Sequence, residues 1–166
     1  MARYRWTTES TVELSARSSV HPIHASVRDL DGEVNVDTAG GSFSLTPAPS
    51  GYVEMQVDSL KSGKKLEDMA LRKVLDAKKF PSIRYELRGA DGGPDRFKIR
   101  GALTFHGTTR EFDEEIRATV QGGQLVVEGE HEFNIEDWGV KAPKILTLQV
   151  YPDVKIKARL VGKEGY

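Results

Sequence analysis

Residues 66–112 read LEDMALRKVLDAKKFPSIRYELRGADGGPDRFKIRGALTFHGTTREF, and two hydrophobic periods meet within them. In the first part Leu66, Met69, Ala70, Val74 and Leu75 recur at the three- and four-residue spacing of a helix, which predicts a short helix over residues 64–75. After Lys79-Phe80-Pro81 the period drops to two. Ile83, Tyr85 and Leu87 alternate with Arg84, Glu86 and Arg88, and Gly92-Gly93-Pro94-Asp95 makes a turn. A longer strand follows, with Phe97, Ile99, Leu103 and Phe105 on one face. The stretch therefore predicts one helix set into a meander of half-buried strands.

The rest of the chain adds strands. Val12, Leu14 and Ala16 alternate with Glu13, Ser15 and Arg17, and Val34 and Val36 follow the Asp31-Gly32 turn. Ala39-Gly40-Gly41 turns into Phe43 and Leu45, and residues 46–51 break the pattern before Val53, Met55 and Val57 resume it. Phe112, Ile116, Ala118 and Val120 oppose Asp113, Glu115, Arg117 and Thr119. After the Gly122-Gly123 hairpin, Leu125, Val127, Gly129, His131 and Phe133 share a face opposite Glu128, Glu130 and Glu132. The last strand holds one phase from Leu146 through Leu148, Val150, Val154, Ile156 and Ala158 to Leu160. Many amphipathic strands, tight Gly turns and a single helix predict an all-β fold whose antiparallel sheet closes on itself.

Composition narrows the function classes. A chain of 166 residues, 38% hydrophobic, buries a real core as one domain over residues 1–166. Its 24 basic and 25 acidic residues are interspersed and leave a net charge of −1, which gives no general attraction to nucleic acid or to an anionic membrane. No run approaches the roughly 20 apolar residues of a membrane helix, so stable membrane insertion is not expected. The opening MARYRWTTES has no apolar leader core, and the chain as given is expected to be cytoplasmic. Without cysteine there are no disulfides and no thiolate metal sites.

Small residues bear on whether the interior is hollow. Ala16, Gly101, Ala118, Gly129 and Ala158 stand in phase with the large apolar residues of their strands. A barrel of about eight strands has an interior just wide enough for side chains or one small ligand. Gly or Ala at inward positions leaves space there. The alternative is that these residues mark bulges and sheet corners around a filled core.

Four segments together resemble the YceI-like family, lipocalin-like barrels associated with polyisoprenoid and amphiphile binding. They are Asp68-Met69-Ala70-Leu71, the run from Leu75 through Phe80-Pro81-Ser82-Ile83-Arg84-Tyr85, Gly101-Ala102-Leu103-Thr104-Phe105-His106-Gly107-Thr108-Thr109, and Phe133-Asn134-Ile135-Glu136-Asp137-Trp138-Gly139-Val140. They stand in the family's order and spacing, and the likeness runs from about Tyr4 to Leu160. It implies an eight-stranded antiparallel barrel with an apolar tunnel for a lipid tail, and a homodimer. The chain departs from the pattern at residues 18–24, at Gly32-Glu33-Val34, which lacks an aromatic residue, and at Glu136-Asp137 in place of an Asp-Arg pair.

The candidates for chemistry are few. His21 and His24 do not make a metal pair, because Pro22 enforces extended backbone and three-residue spacing in a strand points side chains to opposite faces. No metal and no cofactor is expected. His106, out of phase with Phe105, is expected to be exposed. His131 shares the apolar face of Val127 and Phe133, where it is a core histidine with a hydrogen-bond partner, a contact for a ligand head group, or a metal or haem ligand. Glu128, Glu130 and Glu132 belong on the solvent face opposite Lys or Arg. A ligand in the interior would be lined by His131, Tyr85, Phe97, Ile99, Leu103, Phe105, Val127, Phe133, Trp138 and Met55.

Two function classes follow. The leading one is a non-catalytic protein that carries or sequesters an apolar chain-like molecule, such as a polyisoprenoid, quinone or fatty-acyl amphiphile. The other is an enzyme acting on a small apolar metabolite in the same pocket, with His131 as acid or base and Tyr85 in support.

Overall fold

The computed structural model describes residues 1–145 and 147–165. Among them are eleven strands and one α-helix: β1 (Ala2–Trp6), β2 (Thr11–Ser18), β3 (Ile23–Val27), β4 (Leu30–Val36), β5 (Ser50–Gln56), α1 (Lys65–Val74), β6 (Ser82–Gly92), β7 (Arg96–Phe105), β8 (Thr108–Gln121), β9 (Gln124–Asn134), β10 (Lys144–Ile145) and β11 (Leu148–Gly165). Leu146, where the last strand was expected to begin, lies outside the described residues.

The alternating sequence closes into an antiparallel barrel of eight strands. From β4 to β9 each strand pairs with the next, β9 pairs with β11, and β11 returns to β1, which pairs with β4. β1 and β2 act as one bent strand, and so do β3 and β4. The long β11 spans both halves of the first: Val150 to Arg159 pair with β2, and Gly162 to Gly165 pair with β1. At the break Ser10 replaces the missing strand partner. Its hydroxyl donates to the Val161 carbonyl at 3.2 Å and accepts from the Val161 N–H at 2.9 Å, in a fully buried position. Closure through β1 and β11 removes most of the free edges an open sheet would expose, and the outer edge of β3 meets the chain at the single bridge Ser26–Lys61.

Two strand pairs carry irregularities that the alternation did not disclose. Arg88 is an extra residue between the pairs Leu87–Gly101 and Gly89–Arg100, so the inward face of β6 passes from Leu87 to Ala90. In β11, the five residues from Val150 to Val154 oppose the three from Ala16 to Ser18 in β2, which bulges the strand without changing its phase. At the β4–β5 crossing Gly32 has φ +127°, and a Cβ there would lie 2.1 Å from the Tyr52 carbonyl oxygen, so the backbones meet closely only because the residue is glycine.

Phe43 and Leu45 lie in the loop between β4 and β5 and still reach the core, where Phe43 meets Phe97 edge-on with centroids 5.3 Å apart. Glu128, Glu130 and Glu132 face solvent, paired in register with Arg159, Lys157 and Lys155, and Lys155 Nζ lies 2.6 Å from Glu130 Oε1.

α1 closes one end of the barrel, but with a different sector from the one its spacing suggested. Ala70, Leu71 and Val74 pack on Ile23, Leu148 and Val150, and Leu75 joins the larger core cluster with Val57 and Leu60. Leu66 and Met69, expected in the buried stripe, are 66% and 54% exposed. Glu67 and Asp68 are buried in their place. Asp68 Oδ1 accepts from the Ser62 N–H at 2.8 Å and from the Ser62 hydroxyl at 2.6 Å, which ties the start of the helix to the loop before it. That tie rotates the acidic residues inward and leaves the first two apolar ones outside.

Candidate functional site: an apolar cavity inside the barrel

Inward residues of the strands and of α1 leave a cavity of about 340 Å³, within the roughly 300–1,000 Å³ of small-molecule sites. At the α1 end Leu71, Val74 and Leu75 contribute to its wall, and at the other end Phe43, Leu45 and Phe97 do. The interior is therefore hollow. The small residues act in two ways. Ala16, Ala118, Gly129 and Ala158 border the cavity, whereas the space over Gly101 is filled, because a Cβ there would meet the Tyr85 hydroxyl at 2.2 Å.

All ten residues predicted for an interior ligand stand on the cavity wall. Met55 comes from β5 and Tyr85 from β6. Phe97, Ile99, Leu103 and Phe105 come from β7, and Val127, His131 and Phe133 from β9. Trp138 follows β9 in a short 3₁₀ turn, Ile135–Trp138, whose start is capped by the Asn134 side chain accepting from the Glu136 N–H at 2.9 Å. Its indole N–H donates to the Leu103 carbonyl at 3.1 Å, which satisfies the one polar atom of a ring only 5% exposed.

Two further wall residues are central. Phe112 sits in the middle of an aromatic chain, with Tyr85 at 5.5 Å, His131 stacked on it at 4.9 Å, and Phe133 edge-on at 5.0 Å. Phe133 continues the chain to Trp138 at 5.4 Å. Glu114 is the second. It lies two residues from Phe112 and two from Ile116, in phase with both, and its carboxylate faces the cavity. The two-residue period of β8 placed it inside; only its charge argued for the surface. Gly129 makes room for it, since a Cβ there would lie 3.1 Å from Glu114 Oε1 and 3.0 Å from an Ile116 methyl.

Burial sets the protonation of these groups. Desolvation raises the Glu114 carboxyl from its ordinary 4.5 to about 7. The Tyr85 hydroxyl is pushed up by desolvation first and by the nearby Glu114 and Asp113 carboxylates after it. It is buried and has no hydrogen-bond partner among the described residues. His131 is half-buried between Phe112 and Phe133, with centroids 4.5 Å apart to the latter, and desolvation lowers its pKa, so the ring is held neutral. Glu33 and Glu114 are the charged residues among the described lining, and Glu33 pairs with Arg3 at 3.0 Å.

The remaining histidines lie elsewhere. His21 Nδ1 is 3.0 Å from the Pro22 carbonyl oxygen, and His24 is exposed on β3. His106, expected to be exposed, is half-buried, because its ring packs on Phe80 with centroids 4.4 Å apart. Among the described residues no group of three or more His, Asp or Glu side chains gathers as a metal site would, and no helix is long and apolar enough to cross a membrane.

A closed eight-stranded barrel with a helix at one end and an aromatic, nearly uncharged cavity defines a lipocalin-like protein. The YceI-like domain model matches residues 6–162, and the chain belongs to that family. Solved structures with the same fold include BcnA of Burkholderia cenocepacia, at TM-score 0.78 and 19% identity, covering 92% of this chain and 96% of that one. A polyisoprenoid-binding domain from Saccharophagus degradans, implicated in plant cell wall breakdown, aligns at TM-score 0.80 and 13% identity over 99% of both chains. A YceI protein of Campylobacter jejuni aligns at TM-score 0.69 and 14% identity over 86% of this chain and 84% of its own. No curated protein matches this chain in sequence.

Proposed function

We propose that the protein carries or sequesters an apolar chain-like molecule, a polyisoprenoid, quinone or fatty-acyl amphiphile, in the barrel interior. The observation that carries this reading is the cavity of about 340 Å³ walled by aromatic and aliphatic side chains from strands around the barrel. The polyisoprenoid binding named for the Saccharophagus degradans domain supports it. Affinity would come from burial. At about 25 cal/mol per Å², removing roughly 330 Å² of ligand surface from water supplies the about 8 kcal/mol of a micromolar complex, before the entropy of association is offset. The ten predicted wall residues are the proposed contacts, with His131 meeting a polar part of the ligand.

The test is displacement of a fluorescent apolar probe by isoprenoids, quinones and fatty acids of graded length, together with intact-mass analysis of protein purified without delipidation. Saturable displacement that strengthens with chain length is expected. A protein that takes up no amphiphile of any class defeats the reading.

One observation favours a second reading. A carboxyl held at about 7, close to the pH where acid–base catalysts work best, shares the cavity with a histidine whose pKa is lowered by desolvation. An enzyme on a small apolar metabolite would use His131 as acid or base. Turnover of a bound ligand during prolonged incubation, followed by mass spectrometry, separates this reading from simple carriage.

A further inference from the structure

We infer that the outward face of α1 docks on the surface of an anionic lipid bilayer, with Leu66 and Met69 in the interface and Lys61, Lys65 and Lys73 against the head groups. This concerns the outside of the barrel and holds whatever the cavity carries.

α1 exposes apolar residues and buries acidic ones, the reverse of an ordinary surface helix. Leu66 and Met69 are exposed, whereas Glu67 and Asp68 are buried and Asp68 is held by Ser62. At 3.6 residues per turn, Lys65, Leu66, Met69, Arg72 and Lys73 fall within a sector of about 120°. No acidic side chain stands in that sector. Lys61 joins it from the loop before the helix, because Lys61, Gly63, Lys65, Asp68, Met69 and Arg72 line one open surface hollow. Asp58 lies 3.7 Å from Arg72, and Glu67 lies 3.9 Å from Lys64. Among the described residues Lys61, Lys65 and Lys73 pair with no carboxylate.

Charge is distributed to match. Residues 61–73 hold five basic and two acidic side chains, a balance of +3, so the rest of the chain carries −4. The net charge of −1, which gives the whole molecule no general attraction to an anionic membrane, averages over this difference. At a Debye length of about 8 Å, a surface touching α1 meets the lysines and is screened from the acidic remainder. Basic side chains beside apolar ones, with the acidic ones turned away, are what a helix lying on an anionic lipid surface needs.

Val20 and Tyr151 add exposed apolar area at the same end of the barrel. They adjoin the Ser18–Val150 pair, and Val150 is part of the cluster on which α1 packs. A second copy of the chain fits this face poorly, since isologous pairing would set Lys65 and Lys73 against their own copies. Leu71 and Val74, on the inner side of the same helix, wall the cavity, so docking brings that end of the barrel to the lipid.

The experiment is co-sedimentation of the purified protein with vesicles of phosphatidylcholine alone, and of phosphatidylcholine and phosphatidylglycerol in equal parts. At about 0.15 M salt the mixed vesicles are expected to bind about tenfold more tightly, and about 1 M salt should remove that preference. Lys65→Glu with Lys73→Glu should weaken binding to the mixed vesicles by about tenfold or more, and Leu66→Gln with Met69→Gln several-fold. Lys98→Glu with Lys163→Glu makes the same change of charge at the opposite end, where Lys98 follows Phe97 and Lys163 pairs with Gln124. That variant should bind like the wild type. All six side chains are exposed, so each variant should also melt like the wild type. Equal binding to both kinds of vesicle, or none to the mixed ones, overturns the inference, and this comparison needs no variant to fold. An equal loss in the Lys98 and Lys163 variant shows attraction without a docking face and also overturns it. So does a dimer, seen by light scattering, that the Leu66 and Met69 variant dissociates while the vesicles bind nothing; a second copy then covers the face.

Discussion

Glu114 is the residue on which the pH behaviour of the fold depends. Its carboxyl titrates at about 7 in the folded chain against an ordinary 4.5, so between those values the folded state holds a proton that the unfolded state has released. The associated stability is fully present below about 4.5 and is lost as the pH rises through about 7. Glu114→Gln imitates the protonated form at every pH. Thermal melts of the two proteins should diverge as the pH is raised and differ by on the order of 2–3 kcal/mol above neutrality, the variant being the more stable. Melting curves that keep a constant offset would show that the carboxylate is solvated. His131 has a different signature. In a carrier, His131→Phe removes one polar contact worth roughly 0.5–1.5 kcal/mol and leaves most of the affinity for a prenyl or acyl tail. In an enzyme it lowers turnover by about 10²–10⁴-fold while binding persists. Gly101 tests the aromatic wall itself. An added methyl meets the Tyr85 hydroxyl at 2.2 Å and the Glu86 carbonyl oxygen at 2.5 Å. Gly101→Ala should therefore cost about 1–3 kcal/mol and drive the Tyr85 ring into the cavity, seen as a lower melting temperature and weaker ligand uptake.

At the scale of elements, how much could be read from the sequence depended on how many neighbours shared a signal. From β6 to β9 the two-residue period ran over long strands, and most inward residues could be named one by one, Ala90 beyond the Arg88 bulge and the charged Glu114 being exceptions. β1 and β3 were overlooked although Ala2, Tyr4 and Trp6 alternate with Arg3 and Arg5, and Ile23, Ala25 and Val27 with His24 and Ser26. Each has five residues, too few to establish a period, and the first interleaves two arginines with its inward side chains. Yet Tyr4 is among the most deeply buried side chains, with its hydroxyl 2.7 Å from Thr38 Oγ1. In α1 the spacing identified a helix but not its orientation. Apolar residues at 66, 69, 70, 71, 74 and 75 cover more than one face, so the packing partners Ile23, Leu148 and Val150, together with the Asp68–Ser62 contacts, selected which face turned inward. Leu71 lies on the selected face. Leu71→Asp sets an unpaired charge against that cluster and should destabilise the protein by about 2–4 kcal/mol, with loss of ligand retention. Leu66→Asp, on the exposed face, serves as the control and should melt like the wild type. Equal behaviour of the two variants would show that α1 does not seal the cavity.

For the whole molecule, closure and hollowness are the properties that matter for function, and neither is local. The resemblance to the family implies a homodimer, and light scattering at high concentration is expected to give twice the mass of one chain; a persistent monomer would retire that expectation. What the sequence determined by itself was the side of the sheet to which most residues belong, because successive side chains of a strand point to opposite faces whatever the strand pairs with. It thus placed the aromatic wall and the outward glutamates, and its four family segments identified the barrel. The tertiary structure alone decided that β11 joins both β1 and β2, that Arg88 shifts the phase of β6, and that Tyr85 fills the space over Gly101. It also decided that a cavity remains. Alternation records which side of a strand avoids water; it does not record the distance to the wall opposite, which is set by strand number and stagger around the whole circumference. Glu114 was hidden by its charge, although its phase pointed inward, and only the packed structure makes its place inside a hollow barrel intelligible.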